Sequence, residues 1–439
     1  MAALQNLFPV DHAHVPLASK KDVNPTEKLH HDIDVKEEND QVEWWQDTGR
    51  LCGRFLQVAG YSPQLQDYYL GFTNTTLIPA LGPHPQEWRS VITRSGLAIE
   101  YSLNFQENTN PMLRIGFEPI SYLAKTDKDP FNKVAHAELC NQLAQMGLKG
   151  FDSTLFHHFA KDFLLSDHQA DNFPADRIGP DTVRSQAAFG FDFKDGKIGV
   201  KGYVFPRLKA LSSGIPVGQL IMDSVRKVEH QMQCSGPAVS LLNAYMEENG
   251  GYNEYTFLSW DFVTPAQSRL KFYGVHNDVT MRKVAEMWTL DGRLLDETTL
   301  KGLVLIERLW RLLKIGEGVR EYEGTWDDGV KSTDKDVATP IVWNYEIRQG
   351  CDQPIPKLYF PVHGENDLLV AQAISEFFRS IGWIDRAEKY VDELRFLYPE
   401  EDIATTSRLQ SWISFAYTKQ TGVYMSVYYH STISYPWSH

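Results

Sequence analysis

A basic residue and a tyrosine two positions apart recur along this chain. They are Lys201 and Tyr203, Lys271 and Tyr273 (with Arg269 two residues earlier), and Lys357 and Tyr359. Arg114 stands in a related segment without the ring, and Tyr424 and Tyr428 stand in one without the cation. On a β-strand, side chains at i and i+2 share a face, so each such strand would set a cation beside an aromatic ring. Several cations converging from separate strands suit a ligand of concentrated negative charge, such as a diphosphate. Rings that turn their π faces to a transient carbocation stabilise it through their quadrupoles, without the trapping that a carboxylate invites. The two together are suited to ionising an allylic diphosphate. A single strand of this kind is commonly a solvated face with a packed ring. The repetition argues for a shared task.

Glu100 is the third element, a carboxylate inside the mostly apolar stretch LAIEYSL at residues 97–103. From the residues alone it is either a structural partner for one of the basic side chains or an acceptor for a substrate N–H, and both readings stay open. Other chemistry lacks its residues. The chain has no aspartate-rich DDxxD cluster, and Asp327-Asp328, in WDDG, reads as a turn. Gly-rich phosphate loops are absent, and His157-His158 lacks the HExxH spacing of a helical metal site. A diphosphate would therefore have to be neutralised by protein cations. Neither a metal nor another cofactor is expected.

The elements that must carry these residues read as five β-hairpins. The first pairs 96–104 with 112–120 around 106–111, and the second pairs 187–193 with 198–205 around Asp195-Gly196. The third pairs 255–263 with 269–275 near Pro265, and the fourth pairs 341–347 with 356–362 through Gly350. The fifth pairs 411–417 with 423–430 around 419–422. They recur roughly every 70 to 90 residues, a repeat signal without high residue identity. Helical periodicity fills the gaps at 134–146, 279–287, 300–313 and 368–381, and a helix-rich segment at 41–69 precedes the first hairpin. Hairpins force antiparallel neighbours, so the expected fold class is α+β, with about ten antiparallel strands closing into a barrel ringed by helices. The Lys and Tyr faces would point to the lumen, because against the helices they would be buried unpaired.

Composition agrees. The 439 residues are 42% hydrophobic and 23% charged, ordinary globular usage with material for a large core. A net charge of -14 offers no surplus for phosphate backbones, so no nucleic-acid partner is expected. Cys52, Cys140, Cys234 and Cys351 are scattered without zinc-ligand or redox spacing, which favours a reduced, cytoplasmic protein. No long apolar run suggests a membrane span or a signal peptide. Residues 1–40, with HAH, KK and KEEND runs, read as a flexible polar tail, leaving 41–439 as a single domain.

At these residues the chain resembles the fungal aromatic prenyltransferases of the dimethylallyltryptophan synthase family. The likeness covers nearly everything after the tail. It rests on GLAIEYSLNF (96–105), LRIGFEPI (113–120), VKGYVFP (200–206), RLKFYG (269–274), PKLYFPVHGEND (356–367) and GVYMSVYYH (422–430). The resemblance implies a ten-stranded barrel of repeated α-β-β-α units and metal-independent transfer of a dimethylallyl group from its diphosphate to an indole. It assigns Glu100 to the indole N–H, and Arg114, Lys201, Arg269, Lys271 and Lys357 to the diphosphate. Many members carry Gln at the position of Lys357. Tyr203, Tyr273, Tyr359, Tyr424 and Tyr428 become the carbocation shield. Members that alkylate C4 of free tryptophan carry a lysine near the position of Ala188, and a smaller residue there leaves room for a bulkier acceptor. QAAFGFDF, VKGYVFP, GGYNEYTFL and SRLQSWIS are most similar to the enzymes of tryptophan-containing cyclic dipeptides, particularly those that reverse-prenylate C2 of cyclo-L-Trp-L-Pro (brevianamide F). A monomer or homodimer acting on dimethylallyl diphosphate and such a diketopiperazine is expected. Prenylation of tryptophan or another aromatic, or a non-enzymatic ligand-binding barrel, are the alternatives.

Overall fold

The computed structural model describes residues 25–174, 177–178, 183–233, 236–248, 254–320 and 340–430. Contacts divide the chain into Met1–Asn39 and Asp40–His439, and the barrel lies wholly in the second unit. A helix spans Pro25–Val58 and so begins before the Gln41 start expected from the sequence. Its first turns carry Glu and Lys among few apolar residues, a composition that forms helix but shows no amphipathic period. Residues 1–24 of the expected tail lie outside the described residues, as do Asp327, Asp328 and Cys234.

Ten strands close into one antiparallel barrel. In chain order they are β1 (Ile99–Gln106), β2 (Met112–Phe117), β3 (Ala187–Lys194), β4 (Lys197–Val204), β5 (Glu254–Asp261) and β6 (Leu270–His276). A separate two-stranded sheet follows, formed by β7 (Asp278–Val279) and β8 (Gly318–Val319). The barrel resumes with β9 (Ile341–Ile347), β10 (Ile355–Pro361), β11 (Gln410–Thr418) and β12 (Gly422–Tyr429). Each strand pairs with its chain neighbour, β6 pairs with β9, and β1 pairs with β12 to close the ring. Closure leaves no sheet edge exposed.

The alternation of each strand explains why the barrel forms this way round. Tyr101, Leu103 and Phe105 of β1, Phe189, Phe191 and Phe193 of β3, and Trp343, Tyr345 and Ile347 of β9 are all nearly inaccessible and belong to one continuous core. That core lies between the outer face of the barrel and the helices around it. Val217–Met232 packs against β5 and Glu297–Leu313 against β11. Residues of the opposite parity face the lumen, where a cavity of about 660 Å³ opens.

Local signals place several boundaries. Asp195 and Gly196 both take positive φ (51° and 73°), the conformation of a two-residue hairpin whose twist matches the strands. Asp296 accepts from Thr298 N and Thr299 N, and Asn366 from Leu369 N, at the starts of Glu297–Leu313 and Asp367–Ser380. The helix expected at 279–287 runs instead from Met281 to Thr289, because Thr280 caps it and Val279 pairs in β7. Helices at Thr154–Phe163, Gly236–Glu248 and Ile384–Leu397 were not anticipated, nor was Val217–Met232. His158 lies on the first of these and bonds Ser224, in a helix–helix contact. Among the described residues no helix is long and apolar enough to cross a membrane.

Candidate active site

The lumen carries charge at one level and phenols at the next, and the register of the strands sets both levels. Arg114 on β2 stands opposite Asp192 on β3, Lys201 on β4 opposite Asp261 on β5, and Lys271 on β6 opposite Glu346 on β9. The expected cations are thus interleaved with carboxylates. Arg114 Nε lies 3.2 Å from Asp192 Oδ1, and Lys201 Nζ 2.5 Å from the same oxygen. Asp261 takes a two-pronged grip from Arg269 (2.6 and 2.8 Å), with Lys271 Nζ at 3.9 Å. Glu346 receives Arg269 Nη1 at 3.3 Å and a close contact from Arg348 Nε. The side chains of Arg114, Lys201 and Lys271 are only 12%, 11% and 9% exposed, so little water is at hand to neutralise them.

Titration follows from this packing. Burial alone would raise the Asp192 and Asp261 carboxyls. Arg114 and Lys201 outweigh it at the first, and Lys271 and Arg269 at the second, so both sit well below the ordinary carboxylate range. Burial and the neighbouring Arg269 push the Lys271 ammonium down to about 8. Lys357 too is held well below its ordinary value, by burial, Arg114 and Lys271. It has no carboxylate within ion-pair distance among the described residues. Instead its Nζ sits 4.5 Å from the centroid of the Tyr424 ring. Within this belt six basic side chains, counting Arg348, face Asp192, Asp261 and Glu346, so basic groups outnumber the acids at the cavity wall.

Four of the expected tyrosines form one arc beyond this belt. Ring centroids are 6.4 Å apart for Tyr203 and Tyr273, 6.2 Å for Tyr273 and Tyr359, and 5.8 Å for Tyr359 and Tyr428. Phe257 stacks on Tyr273 at 4.1 Å and extends the arc. Burial raises the phenols of Tyr203, Tyr359 and Tyr428, so they remain neutral. Asn344 donates to the Tyr359 hydroxyl at 3.0 Å. Tyr424 stands apart from the four. Its hydroxyl accepts from Arg114 Nη2, and the Arg114 guanidinium lies 5.2 Å from its ring centroid, among the cations. Tyr424 is four residues, roughly 13 Å of strand, from Tyr428 and level with Gln106 in register, too far along β12 to join the arc.

Glu100 lies at the other end of the arc. Consecutive register partners run Glu100, Gly116, Gly190, Lys201, so two glycines separate the lone carboxylate from the belt. Side chains there would fill the gap. A Cβ on Gly116 would stand 3.6 Å from Glu100 Oε2 and 3.3 Å from Ile92, and one on Gly190 would stand 3.1 Å from the Tyr203 ring. Burial raises the Glu100 carboxyl well above its ordinary value, and no cation offsets it. Ala188 is buried opposite Tyr203 in the same file of small residues.

All eleven residues singled out from the sequence line the one cavity. Asp192, Asp261 and Glu346 were missed, although they keep the same period of two on the first strands of the second, third and fourth hairpins. Phe257 and Asn344 follow by the same step. Val91, Ile92, Thr93 and Arg94 also line the cavity but come from an irregular segment with no period to read.

Comparison with known proteins gives this geometry its relatives. The profile of the tryptophan dimethylallyltransferase family matches residues 40–393. The reverse prenyltransferase criA of Aspergillus cristatus is 54% identical over 404 residues, 91% of this chain and 92% of its own. The deoxybrevianamide E synthase notF of an Aspergillus species is 50% identical, over 91% and 89% of the two chains. The crystal structure of NotF in complex with brevianamide F and DMSPP superposes with a TM-score of 0.81 at 48% identity, over 90% of this chain and 96% of that one.

Proposed function

The chain belongs to the tryptophan dimethylallyltransferase family and is an aromatic prenyltransferase, and we propose that it joins the dimethylallyl group of dimethylallyl diphosphate to C2 of the indole in cyclo-L-Trp-L-Pro. The observation that carries this reading is the order of the lumen: a cation belt, then an arc of neutral phenols, then a lone carboxylate across a gap made by glycines. Arg114, Lys201, Arg269, Lys271 and Lys357, with Tyr424, hold the diphosphate and draw off its electron pair as the allylic C–O bond breaks. Their charge stands where many prenyl-transferring enzymes use a metal, so full activity in excess chelator is expected.

The allyl cation then faces Tyr203, Tyr273, Tyr359 and Tyr428, whose quadrupoles lower its energy. Glu100 accepts the indole N–H and raises the electron density of the ring. Indole C2 attacks the tertiary carbon of the cation, a C–C bond forms, and loss of the C2 proton restores the aromatic ring. A cavity of about 660 Å³ matches a donor and a diketopiperazine bound together.

The test is turnover with dimethylallyl diphosphate and, in parallel, cyclo-L-Trp-L-Pro, tryptophan and a naphthol, read by mass spectrometry and pyrophosphate release. A mono-prenylated cyclic dipeptide formed well ahead of the others is expected. No pyrophosphate release with any acceptor would reduce the protein to a binding barrel, and a preference for tryptophan would refute the acceptor assignment.

A further inference from the structure

A second buried carboxylate, outside the belt and the arc, organises the wall beside Glu100. Glu118 follows β2 directly, is inaccessible to solvent, and has no cation beside it. Three side-chain donors converge on it instead. Trp88 Nε1 donates to Oε1 at 2.9 Å, while Ser90 Oγ at 2.5 Å and Ser185 Oγ at 2.6 Å donate to Oε2. Each serine then holds backbone: Val91 N donates to Ser185 Oγ at 3.0 Å and Ile92 N to Ser90 Oγ at 3.1 Å. Residues 88–95 have no regular secondary structure, so hydrogen bonds define their path: the Glu118 set fixes 88–92, and Ser90 N to Gly96 O with Gly96 N to Thr93 O closes the turn after it. That path delivers Val91, Ile92, Thr93 and Arg94 to the cavity and sets Ile92 against Gly116, the register partner of Glu100.

An acceptor-only group is needed to receive three side-chain donors at one point, and a carboxylate is the side chain that offers it. The arrangement is costly as mere packing. Burial pushes the Glu118 carboxyl up to about 7 despite those donors, and an apolar filling of the same volume would avoid the penalty. What the carboxylate supplies is an anchor that ties the start of this loop, through Ser90 and Ser185, to the end of β2.

We propose that Glu118 is a positioning residue for the acceptor: through Trp88, Ser90 and Ser185 it holds residues 91–94 as the wall that presses the indole toward Glu100. The inference rests on an indole occupying the Glu100 end, as proposed above. Removing the clamp should loosen acceptor binding and let the ring turn, while the diphosphate belt, whose Arg114 lies back along β2 and whose other members stand on β4, β6 and β10, stays as it was.

The experiment compares the parent protein with Glu118→Gln, Glu118→Ala and Ser185→Ala. It measures both KM values, kcat, the ratio of prenylated isomers and the thermal midpoint. Glu118→Gln is expected to raise the acceptor KM about tenfold and to yield a second regioisomer, with the donor KM within twofold. Ser185→Ala should show the same signature more weakly, and it keeps the test open if Glu118→Ala fails to fold. Unchanged acceptor KM and isomer ratio in folded Glu118→Gln would overturn the proposal, as would donor and acceptor KM rising together. The split is read on whichever indole the parent alkylates, so a wrong acceptor assignment shows in the parent and leaves this comparison intact.

Discussion

Replacing Glu100 by Gln separates the charge of this side chain from its shape. The amide keeps the volume and one acceptor oxygen, so the indole N–H retains a partner and the ground-state complex is little changed. What disappears is the negative charge facing an indole that becomes cationic as the C–C bond forms. With the charges ~5 Å apart and an effective dielectric of ~20, the lost attraction is about 3 kcal/mol, a factor of about 10² in rate. This matches the roughly 10² to 10³ typical for removing one group that stabilises transition-state charge. Steady-state kinetics should therefore show kcat about 100-fold lower, with the donor KM unchanged. The acid side of the pH profile should change too. Because burial raises the Glu100 carboxyl, the parent loses acceptor kcat/KM as pH falls and the carboxylate is protonated, whereas the Gln variant is flat over that range. A Gln variant with kcat within threefold of the parent would refute the role given to Glu100.

Other consequences follow from the belt and the barrel wall. The Lys271 ammonium, lowered to about 8, loses its proton as pH rises, so donor kcat/KM should fall above about pH 8. In Lys271→Arg that fall should vanish, and a parent profile flat through pH 9 would contradict it. Tyr424→Phe removes the hydroxyl that faces Arg114 but keeps the ring under Lys357. It should raise the donor KM about tenfold without altering the product, and an altered product with unchanged donor KM would return Tyr424 to the shield. Gly202→Ala would put a Cβ 2.2 Å from the ring of Trp260, on the outer face of the barrel between Lys201 and Tyr203. Denaturant unfolding should show a loss of at least about 1–3 kcal/mol, and parent-like stability would contradict the packing.

Much of this was legible because a barrel wall obeys a period of two. Lys201 and Tyr203, or Lys271 and Tyr273, declare a shared face, and the hairpin turns declare antiparallel neighbours. Asp192, Asp261 and Glu346 obeyed the same period, yet single acids on strands with small or apolar neighbours do not announce a site until register sets them against Arg114, Lys201 and Lys271. Tyr424 shows the limit of the rule from the other side. It shares parity with Tyr428, but parity fixes only the face, and depth along the strand put it among the cations. The wall at residues 91–94 was out of reach because its path follows no helix or strand period and is tied to Glu118 and Ser185, partners far along the chain.

The most direct measurement is the NMR structure of the product formed from cyclo-L-Trp-L-Pro and dimethylallyl diphosphate. The account predicts a 1,1-dimethylallyl group on C2, seen as a vinyl system on a quaternary carbon, with the C2 proton gone and N–H retained. A 3,3-dimethylallyl chain at any position, or attachment to C4, C7 or N1, would contradict it.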